Sequence, residues 1–438
     1  MKPLVPLALT CLLAATACSS TESSSTAADT VPARLGQSDG AAAAPEVTVP
    51  DAYTSVVVNV SGDATAPFLG TDGRYHVAYD LQLTNTSGVV PATLDRLEVV
   101  DAERPNDAVA TFEGDELVKE GCDYGDCNRL RNLAARPADD TTIPPQEGRI
   151  LFVDYAFDSI DDVPRQVLHH LFVQAAAGPP AQEPSAVDYL AAPYVIDSFE
   201  PKVVGPPLEG RSWVALNGCC EPGFPHRSSP APFNGRLVNG QRFAIDWKRM
   251  NDEGAFFEGD PNTNEHYVDY GADVLAVADA TVVTTLDGME ANQPGVLPAN
   301  DPKQRDSLTV ENVDGNHIVL DLGDGTYAFY AHLQAGSLKV KEGDVVTRGQ
   351  QLAALGNTGN ANASHLHFHL MDGPSVLGSN GLPFVIDTFD FAGAVEPQQL
   401  LDTDDYLSGT FNGGLLDEAE GRRDQSPLLL DVVDFPSS

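Results

Sequence analysis

The chain has 438 residues, long enough for two domains that each bury a core of their own. Its 64 acidic residues against 25 basic ones give a formal charge of −39, a surface that repels nucleic-acid phosphates and anionic lipid headgroups, so neither is expected as a partner. With 42% hydrophobic and 20% charged residues, the composition is that of a globular protein rather than a disordered one.

The first twenty residues, "MKPLVPLALTCLLAATACSS", combine a basic start, an apolar run too short to span a membrane, and small residues before a cysteine. The pattern resembles a bacterial lipoprotein signal over 1–18, with "ATAC" as lipobox and Cys18 as the lipidated first mature residue. An exported protein follows, lipid-anchored to the cell envelope or otherwise secreted, which touches membrane only through that anchor. Residues 19–50 are rich in Ser, Thr and Ala and read as a flexible tether.

Between 51 and 178, short segments such as "YTSVVVNV", "YHVAYDLQLTN", "ATLDRLEVVD", "GRILFVDYAF" and "HHLFVQAAA" alternate apolar and polar residues between Gly, Asn, Asp and Pro clusters. That pattern predicts an N-terminal antiparallel β-sandwich. His169 and His170 open its last strand and are expected to pack or hydrogen-bond rather than hold a metal. A proline-rich linker, 179–210, leads to a second, mostly β domain over 211–400. Residues 401–438 have no clear period and read as an acidic tail, packed loosely or not at all. The fold class is therefore all-β throughout.

Six cysteines are present, of which Cys11 and Cys18 fall in the signal. In an oxidising compartment, "GCDYGDC" allows a short-loop Cys122–Cys127 disulfide. In "NGCCEPG", Cys219 and Cys220 could pair with each other only as a vicinal bridge. Four cysteines permit three pairings, and the sequence does not select among them.

Chemistry points to "SHLHFHL". A strand sets every second side chain on one face, about 6.6–7 Å apart, so His365, His367 and His369 share a face while Leu366 and Phe368 turn into the core. Neutral imidazole is a common zinc ligand and, with a fixed tautomer, a directional base. His332 ends another strand, "YAFYAHL", and the Gly/Asn loop "GNTGNANAS" leads into the histidine run.

Here the chain resembles the M23 (lysostaphin/LytM-like) peptidase family. The matching run includes "RFAID", "YGADVLAVADATVV", "GNHIVLDLGDGTYAFYAHLQAG" and "GNTGNANASHLHFHL", spread over most of 240–370. The resemblance implies a small antiparallel β core of M23 type and zinc-dependent cleavage of peptide cross-bridges in bacterial peptidoglycan. By position it implies Asp246 and His367 as metal ligands. His332 and His365 become the histidines that orient or deprotonate water and stabilise the oxyanion. His369 stands where the family often has an acidic residue, and is expected beyond the ligand set or facing solvent. His317 is expected to be structural.

One departure stands out. The family pattern is His-x-x-x-Asp, yet four residues before Asp246 stands Arg242, whose guanidinium has no free lone pair for zinc. Three readings follow. Another histidine can supply the third ligand, with His226 of "GFPHRSSP" preferred and His266 of "NEHYVDYG" the other candidate; the alternative for His226 is a loop histidine beside Arg227. The site can be degenerate, leaving a zinc-free module that binds cell wall or regulates a partner cell-wall hydrolase. Or Arg242 can pair with Asp246, replacing the metal by a salt bridge. A biotinyl or lipoyl carrier hammerhead, suggested by "KVKEGDVVTRGQQLAAL", is rejected because the loop that would carry the cofactor has no lysine.

Overall fold

Alternation over Tyr75–Asn85 puts Val77, Tyr79, Leu81 and Leu83 on one face and Ala78 and Asp80 on the other, and each face is buried against something different. The structure is a computed structural model that describes residues 48–437 except 63–64, 120–127, 134–135, 180, 197, 402 and 405. The expectations for the signal, Cys18, most of the tether and Cys122–Cys127 lie outside the described residues.

The inward face belongs to a sandwich of two five-stranded sheets. One orders its strands Val56–Ser61, Tyr75–Asn85, Gly148–Phe157 and Leu130–Asn132, with Phe68–Leu69 paired to the second. The other orders Ser185–Val195, Gln166–Ala175, Ala92–Asp101 and Arg104–Glu113, with Thr142–Ile143 paired to Ala92–Asp101. All these pairs are antiparallel, and Tyr79, Leu81, Leu97, Val99, Leu151, Val153 and Leu171 fill the space between the sheets. His169 belongs to this core, with its Nδ1–H donating to Ala192 O at 2.8 Å and Tyr79 Oη 2.9 Å from Nε2. His170 lies between Glu98 and Asp188.

The proline-rich stretch is not the linker its composition suggests. Ser185–Val195 is the last strand of the sandwich, at the edge of its sheet, and Pro193 falls at the register shift between Ala191 and Tyr194, where no ladder hydrogen bond is lost. Lys202–Val204 then pairs in parallel with Phe384–Ile386.

The second half is built on an eleven-stranded sheet. Its order runs Val345–Val346, Ala280–Leu286, Asn316–Asp321, Tyr327–Leu333, Leu366–Met371, Ile245–Arg249, Gly210–Leu216, Asp431–Phe435, Phe389–Ala394, Leu415–Arg422, with Gly381–Leu382 paired to Leu366–Met371. Trp213, Ile245, Trp247, Ile318, Tyr330, Leu366 and Phe368 form its core. The C-terminal residues also depart from expectation. Asp431–Phe435 is an interior strand with Val432, Val433 and Phe435 buried, and the Phe435 ring meets Trp247 edge-on at 5.2 Å. Leu415–Arg422 is the outermost strand and almost wholly exposed, so no apolar period marks it.

The outward face of Tyr75–Asn85 is covered by this second half. Phe68 and Ala78 pack with Cys219, Phe243 and Val385, and backbone hydrogen bonds join Leu69 and Thr71 to Ser426. Cys219 and Cys220 form a vicinal disulfide at this boundary.

Candidate metal centre

Leu366–Met371 runs between Ile245–Arg249 and Tyr327–Leu333, and the register sets His367 directly across from Asp246 on one side and Ala331 on the other. Leu366, Phe368 and Leu370 point into the core, so His367 and His369 point to the opposite face. His367 Nδ1 lies 2.9 Å from Asp246 Oδ1. His365, just before the strand, brings its Nε2 to 3.5 Å from the same oxygen.

The third arm comes from a loop. His226 reaches Asp246 Oδ2 with Nε2 at 3.3 Å, and its ring stands edge-on to His367 at 4.7 Å. One ligand atom from each of His226, Asp246 and His367 lies within 4.8 Å of the others, and all three residues are buried. The His226 Nδ1–H donates to Ala244 O at 2.9 Å, so Nε2 is the nitrogen turned to Asp246.

His332 comes in from the neighbouring strand by a bulge. The Asn316–Asp321 and Tyr327–Leu333 pairing shifts register between Asn316 and Ile318, and His332 takes a left-handed φ of 62°. The irregularity re-aims a side chain that strict alternation would send elsewhere. Its ring lies 4.6 Å from that of His365. Each of these two histidines donates its Nδ1–H to a main-chain carbonyl, His332 to Thr358 O at 2.8 Å and His365 to Ala363 O at 2.9 Å. In each, Nε2 is therefore the nitrogen turned away from the main chain, and that of His365 faces Asp246. The Thr358 carbonyl is held by a turn in which Gly359 packs against the backbone of Gly315 so closely that any Cβ would collide.

Electrostatics follow from burial around one carboxylate. Burial alone would raise the Asp246 pKa, but His226, His365 and His367 outweigh it and hold the carboxyl well below its ordinary range. Burial would lower His226, and the adjacent Asp246 charge overcomes it, so this imidazole is held above its ordinary value. Burial lowers His367 to about 4, and lowers His332 well below its usual value with help from His365 and His367.

The other candidate residues are placed outside the trio. Arg242 does not pair with Asp246; it is buried and donates from Nη2 to Asp80 Oδ2 at 2.8 Å, in the sandwich. His266 is turned away, its Nδ1 accepting from Asp260 N at 2.8 Å. His369 does not face solvent: it is buried beside Phe329, with Nδ1 2.9 Å from His367 Nε2. His317 bonds Gly315 O and packs on Phe329.

The centre opens into a cleft of about 340 Å³ whose lining includes Asn217, Asp246, Lys248, His365, Asp404 and Tyr406. Asn217 donates to Asp246 Oδ2 at 2.7 Å. Lys248 is buried, donates to Ser364 O at 2.6 Å and lies 3.6 Å from Asp269; burial pulls its pKa down although Asp269 opposes this. Neither residue was singled out from sequence. Lys248 was within reach, because two residues after Asp246 on a strand means the same face. Asn217, with φ 56° in a loop, carries no periodic signal.

Residues 265–378 match the family model described as Peptidase family M23. The match takes in His332, His365 and His367 and begins after His226 and Asp246. Among solved structures, the chain is similar to the catalytic domain of the antimicrobial peptidase lysostaphin from Staphylococcus simulans, at 25% identity over 35% of this chain and 80% of that one, with a TM-score of 0.20. It is also similar to the catalytic domain of the prophage-encoded M23 protein EnpA from Enterococcus faecalis, at 16% identity over 41% of this chain and 92% of that one, with a TM-score of 0.21. A chain of the SpoIIQ–SpoIIIAH pore-forming complex is similar at 15% identity over 42% of this chain and 89% of that one, with a TM-score of 0.23. No curated protein matches the chain.

Proposed function

We propose that the Peptidase family M23 domain carried by this chain is a zinc-dependent peptidase that hydrolyses peptide bonds of bacterial peptidoglycan, and that the protein is exported and lipid-anchored at Cys18. The observation that carries the reading is the meeting of His226, Asp246 and His367 beside His332 and His365. Two imidazoles and one carboxylate are a donor set of catalytic zinc sites, which use three protein ligands and keep another position open. The set suits zinc although Arg242 stands at the family's first ligand position, because the guanidinium is committed to Asp80 and His226 stands in the trio instead.

Bound there, zinc supplies a Lewis acid that polarises a peptide carbonyl and makes water nucleophilic at neutral pH. The chain's own residues supply the rest. His332 and His365, tied at Nδ1 to Thr358 O and Ala363 O, hold Nε2 ready to take a proton from the attacking water and return it to the leaving amine. Asn217 fixes the rotation of the Asp246 carboxylate. Lys248, on the same strand face as Asp246, holds the Ser364 carbonyl next to His365 and is balanced by Asp269.

The test is metal content and hydrolysis together. The purified wild-type chain is expected to hold about one zinc and to release peptides from peptidoglycan. His226→Ala and His367→Ala are expected to bind zinc far more weakly, to fall below one zinc per chain, and to lose hydrolysis. A wild-type chain without stoichiometric zinc overturns the proposal and leaves the zinc-free module that binds cell wall or regulates a partner hydrolase.

A further inference from the structure

Two of the three zinc-ligand candidates need no special support. Asp246 and His367 face each other across adjacent strands, so sheet hydrogen bonds fix them. His226 has no strand: it sits in the segment between Leu216 and Ala231, so its position must be set by something else. Its next residue indicates what that is.

Arg227 is 1% exposed and reaches out of the second half into the sandwich. Its Nη1 pairs with Asp80 Oδ1, and its Nη2 donates to Tyr79 O at 2.8 Å and Val153 O at 3.3 Å. The guanidinium also lies over the Phe152 ring, 4.6 Å from its centroid. Asp80 is fully buried, and its other oxygen takes Arg242 Nη2 at 2.8 Å and Asn239 Nδ2 at 3.2 Å. Asn239 donates as well to Arg227 O, and Ser229 Oγ donates to His226 O at 2.8 Å. One sandwich carboxylate thus ties down the His226–Arg227 segment and the approach to the Asp246 strand together. Burial alone would raise its pKa, and Arg227 and Arg242 hold it below the ordinary value.

We infer that Asp80 is a positioning residue, and that the sandwich serves as the mount that seats His226 in the metal trio through Arg227. The inference rests on the zinc reading above. It also assigns a use to the departure from the family pattern, since Arg242 forms the second half of the same tie. Without the tie, His226 has to be ordered at the moment of metal binding, and the conformational entropy of that step is subtracted from affinity.

The test uses the full chain and zinc in competition with a chromophoric chelator. Asp80→Asn is expected to weaken zinc binding by about tenfold or more, comparable with loss of a residue that orients a ligand. In a His226→Ala background the same change is expected to cost nothing further, because the ligand it positions is gone. Leu94→Ala, which opens the sandwich core on the sheet that does not carry Asp80, is expected to lower the melting temperature and leave affinity unchanged. If Asp80→Asn does not fold, Arg227→Lys serves in its place: it keeps the charge beside Asp80 and gives up the second arm to Tyr79 O. Wild-type affinity in these variants, or a loss that adds in full to that of His226→Ala, sinks the inference while the zinc reading stands. A wild-type chain that binds no zinc sinks the zinc reading first.

Discussion

His369 Nδ1 stands 2.9 Å from His367 Nε2, and the remaining nitrogen of His369 is buried with no hydrogen-bond partner. The other side of the His367 ring meets Asp246 through Nδ1. An imidazole that holds a metal needs its second nitrogen hydrogen-bonded, because that bond fixes the tautomer and the ring plane. In the zinc reading, Nδ1 on the Asp246 side would be the nitrogen of His367 that holds the metal, and Nε2–H would donate to His369.

His369→Leu is therefore expected to weaken zinc binding by about 10–100-fold with the fold intact. His369→Glu, which restores an acceptor, is expected to retain affinity. Chelator competition on the three proteins decides the matter, and equal affinity in all of them would remove His369 from the support of the site.

Arg242→Gln separates the family's sequence pattern from the chemistry. The guanidinium donates to Asp80 rather than to Asp246, and Arg227 still neutralises Asp80 in the variant. Zinc content is expected to stay at about one per chain, with stability lowered by about 1.5–3 kcal/mol for a lost charged hydrogen bond. Metal analysis with urea unfolding measures both, and a loss of zinc equal to that of His367→Ala would place Arg242 in the site.

Features with a short-range signature were legible in the sequence. The period of two exposed the sandwich strands and the shared face of His365 and His367, and the preference for His226 over His266 agrees with where the two rings lie. What stayed hidden depends on distant partners. Arg242 meets Asp80 across 162 positions, and nothing near either residue announces the other. Composition misled near the end of each domain: Ser185–Val195, closing the sandwich, tolerates Pro193 because it is an edge strand, and Leu415–Arg422 lacks an apolar period because it is the outermost strand of its sheet. The next strand in the chain, Asp431–Phe435, is five residues long, too short for a period to stand out, yet it lies inside the sheet.

His169 makes the sandwich sensitive to acid independently of the site. Burial against Tyr79 lowers its pKa from 6.5 to about 4, although bonds to Ala192 and Ala191 oppose this. Between those values the unfolded chain binds a proton that the folded chain refuses, so stability is full above 6.5 and falls as pH drops toward 4. The loss contributed by this residue is about 3 kcal/mol. Urea unfolding at pH 7 and pH 4.5 is expected to show a larger drop for the wild type than for His169→Gln. Equal drops would mean that His169 keeps an ordinary pKa in the fold.

His332 combines chemistry with backbone strain, and two substitutions part them. Its φ of 62° costs a residue with a Cβ about 1–2 kcal/mol, and glycine adopts it freely. Both His332→Ala and His332→Gly remove the imidazole that faces His365, while His226, Asp246 and His367 remain. Hydrolysis is expected to fall by about 10²–10⁴-fold in each, with zinc retained. The glycine variant is expected to be more stable than the alanine one by about 1 kcal/mol, the reverse of their order in an unstrained strand. Denaturant melts give the stability order and metal analysis the zinc content. If alanine proves the more stable, the bulge stores no strain at His332. If zinc leaves with the imidazole, His332 is a ligand rather than the base.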